Sequence, residues 1–428
     1  MIFTDVSDGG WPAGGRGGDG QGMQATRTTA RDIRRRNRSA LLSALFFHAP
    51  LSRMELGVLT GLSSGTVSTL TAELLDAGLV EEAGQTGSDG GRPRTMLRVN
   101  PGYGTVAGVD VGETGALVEI FDLAMEKVAG VRRPLPSRPS PDLVADQIVA
   151  GVREVLDAGG GDASSVLGVG IGVSGTVGPE PDMLVHAPAI GWSSVDLVGL
   201  LRARGLETPL FLDNGAKTFG QAELLFGAGR GARHAVIALV GSGIGVALVA
   251  DGVLYRGASR AAGEWGHMTV ALDGRPCRCG SRGCLEAYAG AEAVLARYAE
   301  QGGILPGGVD EADGLALLLA AADGTPEHDL LVETARLIGL GLANLINLLN
   351  PERVVLGGWA GIALAGRLMP RIVAAMREYS LPHIRDEVTI EMCRLGPDAV
   401  AFGAATLPVT ALLTHGDPRL LRVSDRTA

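Results

Sequence analysis

Cysteine is scarce in this chain, with four residues in 428: Cys277, Cys279, Cys284 and Cys393. Three of them fall within eight residues, which excludes a disulfide framework and points to metal binding in a reducing compartment. Long apolar runs are lacking too. The most suspicious run, Ala235 to Ala250, is uncharged but too short to cross a bilayer and is broken by Gly241, Ser242, Gly243 and Gly245. The N-terminus carries Asp5, Asp8 and many glycines where a secretory signal needs an apolar segment, so a cytosolic chain is expected, with no membrane partner. Excess positive charge is missing as well. The net charge of -10 speaks against a chain built throughout to hold nucleic acid.

What is present supports a large core: 46% of residues are apolar, and the length suits two or three domains. Charge is unevenly spread. Residues 27–98 hold ten arginines against seven carboxylates, whereas residues 101–428 are strongly acidic. A locally basic head on an acidic body fits a DNA-binding domain attached to a sensor.

Residues 1–26 are rich in glycine and poor in large apolar groups, and are expected to be a disordered tail, with Met1 or Met23 as the start. From Ser39 the pattern turns helical. Leu41, Leu42, Leu45 and Phe46 form an apolar stripe, preceded by Arg34, Arg35, Arg36 and Arg38, and Pro50 closes the segment. Ser52 and Glu55 have the spacing of a capping box, with Leu56 and Leu59 as the buried face of the helix they open. Gly61 breaks that helix and Ser63 caps the next, which buries Val67, Leu70, Leu74 and Leu75 and stops at Gly78. This is a helix-turn-helix. Leu79–Glu81 and Met96–Val99 read as strands joined through Gly90-Gly91-Arg92-Pro93-Arg94, a basic wing. In such a unit the start of the second helix reads base edges, which nominates Ser64, Gly65, Thr66, Ser68 and Thr69, with Arg92 and Arg94 on phosphate or in the minor groove. The alternative for this segment is a protein-interaction winged helix.

From Thr105 the chain becomes an α/β body. Strands are expected at Val106–Val111, Ala116–Ile120, Val166–Val173, Pro209–Leu212, Ala235–Val240, Val246–Ala250 and Arg353–Leu356, and a helix at Leu331–Leu349. His267, Cys277, Cys279 and Cys284 make an H-x9-C-x-C-x4-C array, with Gly274, Pro276, Gly280 and Gly283 allowing tight folding around it. Thiolates plus imidazole suit a structural zinc, because four protein ligands leave no place for water. The alternative is three buried cysteines and an unrelated histidine. Cys393 reads as a core residue.

Gly263-Glu264-Trp265-Gly266-His267, Cys277-Arg278-Cys279-Gly280 and Gly283-Cys284-Leu285-Glu286 together resemble the signature of the ROK family of repressors, open reading frames and sugar kinases. The likeness runs from about Ser39 to about Ala405 and takes in the wing, Gly241-Ser242-Gly243-Ile244-Gly245, Asn347 to Pro351 and Val354 to Gly358. The head resembles that of the family's repressor branch, the xylose-type and N-acetylglucosamine-type regulators. The resemblance implies a winged helix-turn-helix (27–100) followed by a two-lobed actin-like, ribonuclease H-like sugar-kinase fold. Its lobes would cover 101–225 and 226–415, the second with the zinc site and a returning C-terminal helix, and 416–428 would be a tail. It also implies a homodimer or homotetramer on a double-stranded DNA operator.

In the family's kinases the proton acceptor is the Asp of an Asn-Asp pair. Here Asn214 is followed by Gly215, which cannot take a proton, and Asp213 is two positions away. The first phosphate loop, Asp110-Val111-Gly112-Glu113-Thr114-Gly115, carries a carboxylate where the family has glycine and a glycine where it has lysine. No kinase activity and no catalytic residue are therefore expected. Sugar contacts in the family map onto Asn214, Glu264, His267 and Glu286, while Ala189 replaces an asparagine. The expected function is a repressor of sugar metabolism or transport genes that senses a sugar or sugar phosphate. The alternative is an active ATP-dependent sugar kinase with an added head.

Overall fold

The computed structural model describes residues 29–86, 93–160 and 165–416. Contacts divide the chain into two units: one ends at Tyr103 and includes the segment from Thr410, the other spans Gly104–Val409.

The first unit begins with α1 (Ala30–His48), then β1 (Leu51–Ser52), α2 (Arg53–Thr60), α3 (Ser64–Asp76), β2 (Val80–Thr86) and β3 (Arg94–Val99). The start expected at Ser39 is corrected to Ala30. A capping box of Thr29 and Asp32 opens the helix well before the apolar stripe, and arginine is a good helix former, so Arg34, Arg35, Arg36 and Arg38 lie on α1. The stripe marks only the second half, where Leu41, Leu42 and Leu45 are buried and Phe46 is half-buried. The Ser52–Glu55 capping box forms as expected. Leu59 is a second correction: Leu56 is fully buried but Leu59 is 52% exposed. The two are three positions apart, α2 lasts eight residues, and left-handed Gly61 (φ 71°) turns the chain away before Leu59 is covered. The sheet runs β1-β3-β2, with β1 too short to be seen in the sequence. Gly90, Gly91 and Arg92 lie outside the described residues.

The second unit holds two sheets of the same topology. The first is built from β4 (Thr105–Val111), β5 (Gly115–Asp122), β6 (Lys127–Pro134), β7 (Val166–Val173) and β11 (Leu210–Asn214), in the order β11-β7-β4-β5-β6. The second comprises β12 (Ala235–Val240), β13 (Ile244–Ala250), β14 (Val253–Tyr255), β15 (Arg353–Gly357) and β16 (Thr389–Met392), in the order β14-β13-β12-β15-β16. Each has three antiparallel strands in succession, with two parallel strands added beyond the first. This is the actin-like mixed α/β architecture that the sequence led us to expect. A small sheet of β8 (Thr176–Val177), β9 (Val185–Ala187) and β10 (Trp192–Val195) caps the first lobe.

One face of the first sheet packs α4 (Pro141–Ala158) and α5 (Leu197–Ala203) around Val109, Val118, Ile148 and Leu201. The opposite face takes α6 (Gly215–Leu225) and the first part of α13 (Ala399–His415). That contact explains the glycines of β4 and β7. A Cβ on Gly170 would come within 1.8 Å of the Ala404 carbonyl oxygen, and one on Gly108 within 2.0 Å of that of Ala401. Backbone meets backbone there, and only glycine fits. The second lobe wraps α7 (Glu286–Ala289), α8 (Ala291–Glu300), α9 (Glu311–Leu319), α10 (Pro326–Leu349), α11 (Trp359–Tyr379) and α12 (Pro382–Arg385) over its sheet. Among the described residues no helix is long and apolar enough to cross a membrane.

Candidate metal centre, ligand cleft and DNA-reading face

On α3, Ser64, Gly65, Ser68 and Thr69 are exposed, whereas Val67, Leu70, Thr71 and Leu74 are buried. Thr66 is half-buried, its amide and hydroxyl engaged by the N-cap Ser63. The nominated residues thus line one outward face, and the wedge of buried apolar groups behind holds it. Arg53 donates to Thr71 across the helix pair at 3.1 Å. Arg34 ion-pairs with Glu73 of α3 and Arg38 reaches it at 4.0 Å, so these two arginines brace α1 on α3. Arg31, Arg35 and Arg36 remain exposed, and Arg94 is exposed at the start of β3.

The candidate metal cluster is built from a short 3-10 turn, Trp265–His267, and the loop behind it. Buried Trp265 and Leu285 anchor the two ends in the core of the second lobe. Thr269 bridges to Cys284 and Pro276 to Arg282, folding the loop back on itself. Gly283 has φ 75°, and a Cβ there would strike the Ala271 carbonyl at 1.8 Å, so the turn requires glycine. The donor atoms of His267, Cys277, Cys279 and Cys284 all lie within 4.8 Å of one another. Cys279 and Cys284 sulfurs are 3.8 Å apart, and Cys277 Sγ is 3.7 Å from His267 Nδ1. Zinc–sulfur bonds of about 2.3 Å in a tetrahedron set sulfur–sulfur edges of about 3.8 Å, so the spacing and donor set fit a metal such as zinc. Burial pushes the Cys284 thiol up to about 12, and Cys279 and Cys277 beside it add to the effect. Cys279 sits at about 7: burial raises it, and hydrogen bonds from Ser281 and the neighbouring thiols outweigh burial. A divalent cation is what would hold three such sulfurs together as thiolates.

His267 links this cluster to the cleft. Its Nδ1 faces Cys277, and its Nε2 lies 3.9 Å from Glu264. With a metal on Nδ1, Nε2 carries the proton and becomes a donor toward the cleft. Burial raises the Glu264 carboxyl, opposed by His267 and Lys217. Glu286 is 8% exposed and already accepts from the Ile244 amide and Arg278 Nε. Asn214 caps α6 by accepting from the Lys217 amide and donates to the Gly175 carbonyl at 2.7 Å. Of the four nominated polar residues, Glu264 and His267 meet, Glu264 feels the charges of Glu286 and Lys217, and Asn214 and Glu286 are largely spent on the protein itself. Ala189 lies half-buried in the short helix Pro188–Ile190 and offers no polar group.

Asp213, 2% exposed, is ion-paired with Arg256 and lies 3.8 Å from Arg260, so its carboxylate is consumed. Gly215 opens α6, and a Cβ there would find nothing nearer than 3.5 Å. Packing does not demand glycine at this position.

Sequence reasoning missed a second feature, around the glycine turn between β12 and β13. Arg278, from between two of the cysteines, pairs with Glu113, Glu286 and Glu292, and Ser242 donates to Glu311. A Cβ on Gly243 would meet Arg278 and Glu286 at 2.8 Å. Burial raises Glu113 while the Arg278 guanidinium pulls it back down. The position of Glu113 in an altered phosphate loop was legible; its partner, 165 residues away, was not. Cys393 is half-buried against the core around Phe219 and Ile237.

A winged helix-turn-helix, two actin-like lobes of equal topology and a three-cysteine, one-histidine cluster beside a polar cleft define a class of two-part chain. Residues 106–410 match the profile of the ROK family, and the chain belongs to that family. It is 30% identical over 399 residues to a putative xylose repressor of Caldicellulosiruptor sp. strain Rt8B.4, covering 90% of this chain and 98% of that one. The crystal structure of a ROK family transcriptional regulator, a homologue of the Escherichia coli MLC protein, superposes with a TM-score of 0.74 at 25% identity, over 92% of this chain and 99% of that one. A ROK family glucokinase from Streptomyces griseus in complex with glucose and AMPPNP superposes with a TM-score of 0.62 at 30% identity, over 71% of this chain and 99% of that one.

Proposed function

We propose that this chain is a cytoplasmic DNA-binding transcriptional regulator, a repressor of sugar metabolism or transport genes, whose actin-like body senses a sugar or sugar derivative and has lost kinase chemistry. The observation that carries the reading is the face of α3, where Ser64, Gly65, Ser68 and Thr69 stand exposed on a helix-turn-helix with both helices capped. Those residues and Thr66 read base edges, while Arg92 and Arg94 of the wing, with Arg31, Arg35 and Arg36, meet phosphate. A homodimer, alone or within a tetramer, would set two such helices in major grooves about 34 Å apart. In this reading the head comprises 27–100 and the lobes 101–225 and 226–415; the two expected tails, 1–26 and 416–428, fall outside the described residues but for Gly416.

Two features support loss of kinase activity. Gly215 stands where the proton acceptor belongs, and Asp213 is held by Arg256. Around the glycine turn, Glu113, Glu286 and Glu292 share a single arginine and Glu311 accepts from Ser242, an excess of negative charge that repels a triphosphate. In the cleft Glu264 and His267 keep free polar atoms for a ligand, with Asn214 and Glu286 as supports. We read the metal cluster as a structural zinc, since four protein ligands close the coordination shell. Ligand binding regulates only by its difference in affinity between two arrangements of the body.

The test is selection of duplexes from a random library by the full-length protein, with Ser68→Ala/Thr69→Ala as comparison. A palindromic consensus recovered by the parent chain and lost in the variant is expected; no enrichment at moderate salt overturns the reading. The rival, a working sugar kinase with an added head, predicts ADP release with some hexose in a coupled assay.

A further inference from the structure

Lys217 is 2% exposed, yet among the described residues its ammonium has one hydrogen-bond partner, the backbone carbonyl of Arg260 at 2.6 Å. A buried ammonium held by a single carbonyl is costly, because one neutral acceptor replaces a full hydration shell. Burial duly pulls its basicity down, and the carboxylates of Asp213 and Glu264 only partly restore it. Asp213 offers little relief: it is engaged by Arg256, lies 3.8 Å from Arg260, and accepts the Asn214 amide. The second carboxylate, Glu264, is 40% exposed on its side chain and faces His267. Three cations, Lys217, Arg256 and Arg260, therefore stand against two acids. Among the described residues the Arg260 Nε is buried with no hydrogen-bond partner. The positive end of α6, an eleven-residue helix, points the same way. Gly215 at its first position leaves room for a side chain, so the missing carboxylate is not a demand of packing.

From this cluster we propose that the cleft takes an anionic sugar, one carrying a carboxylate or a phosphate, and that Lys217 and Arg260 receive its charged group at the head of α6. The inference rests on the sensing function proposed above and deepens it by naming the chemical class of the ligand. Glycine at position 215 then has two effects. It removes a proton acceptor, and it removes a negative charge that would have repelled the ligand.

The experiment uses the zinc-loaded full-length protein in calorimetric and thermal-shift titrations. The panel is glucose, xylose and N-acetylglucosamine, their monophosphates, the matching uronic and aldonic acids, and inorganic phosphate alone. Binding of one acid or phosphate at least tenfold tighter than its neutral parent is expected, and the two arms tell carboxylate from phosphate. Lys217→Met, which keeps the volume, and Arg260→Gln, on a partly exposed side chain, should each weaken that ligand at least tenfold. If Lys217→Met fails to fold, Arg260→Gln alone decides. A neutral sugar that binds as tightly as its acid overturns this inference and leaves sensing intact. So does unchanged affinity in the variants, or binding of inorganic phosphate as tight as that of the sugar phosphate. No binding anywhere in the panel, with DNA recognition intact, overturns the sensing function itself.

Discussion

Replacing Gly215 by alanine should leave the body as stable as before or slightly more so, while the same change at Gly170 should lower its melting temperature sharply. The contrast can be worked from distances. At Gly170 the new carbon would sit 1.8 Å from the Ala404 carbonyl oxygen and 2.5 Å from its carbon, with Pro408 at 3.2 Å. Ordinary contact starts near 3.4 Å, so β7 and the backbone of α13 must separate by about 1.6 Å. Overpacking of that kind costs about 3 kcal/mol, and rigid backbone on both sides leaves no flexible side chain to yield. In a body of this size each kcal/mol is worth about 2–4 °C, so Gly170→Ala should melt about 6–12 °C lower. At Gly215 the nearest atoms are 3.5 Å and 3.6 Å away. No atom has to move, and a less flexible unfolded chain should return a gain of about 0.4–1 kcal/mol. Differential scanning calorimetry of the two variants beside the parent chain measures both. If Gly215→Ala loses as much as Gly170→Ala, the glycine at the head of α6 is a packing requirement, and the argument that its missing carboxylate has functional meaning fails.

Elemental analysis should find one zinc per chain, and Cys279→Ser, at an exposed ligand, should lower both metal content and melting temperature; retention of full occupancy would remove Cys279 from the ligand set. Asp110 is half-buried on β4 of the first lobe, and burial lifts its carboxyl from the ordinary 3.8 to about 7, with Asp398 and Glu119 adding to the rise against Arg132. The folded state thus prefers the protonated acid, so this group's contribution is full below about pH 4 and is lost as pH rises toward 7. The gap is worth on the order of 4 kcal/mol, an upper figure because part of the residue's surface reaches solvent. Asp110→Asn should therefore melt higher than the parent chain at pH 8 and match it near pH 4, as thermal scans across that range would reveal. Arg278→Met strands Glu113 and Glu286 as buried carboxylates and should cost about 3–5 kcal/mol, whereas adding Glu113→Gln should recover a large part. A double-mutant cycle in urea that shows simple additivity would mean the pair is not coupled.

The parts of this molecule that were legible are those whose signal is local. The capping box of Ser52 and Glu55, the left-handed break at Gly61 and the Ser63 cap lie within a dozen residues, and all three form. The cysteine spacing announced the cluster of donors that could hold a metal, because a short loop folded back on itself brings its thiols together. Helix starts were less visible: the Thr29–Asp32 box was overlooked because no apolar stripe follows it for two turns. Strands at exposed edges also escaped, since β6 alternates between exposed and half-buried positions and lacks a clear apolar face. The equal topology of the two lobes left no recognisable repeat, because sheet order depends on pairing between distant strands. Charged networks were hidden for the same reason. Lys217 meets the Arg260 backbone, and Arg256 meets Asp213, each across 43 residues, while Arg278 meets Glu113 across 165. No spacing rule reaches that far.

The most direct measurement is equilibrium binding of the full-length protein, at about 0.15 M salt, to its selected duplex and to a scrambled duplex of equal length. A sequence-reading head should prefer the selected duplex by about a thousandfold or more. Equal affinity for the two would contradict the assignment of α3 as a reader of base sequence.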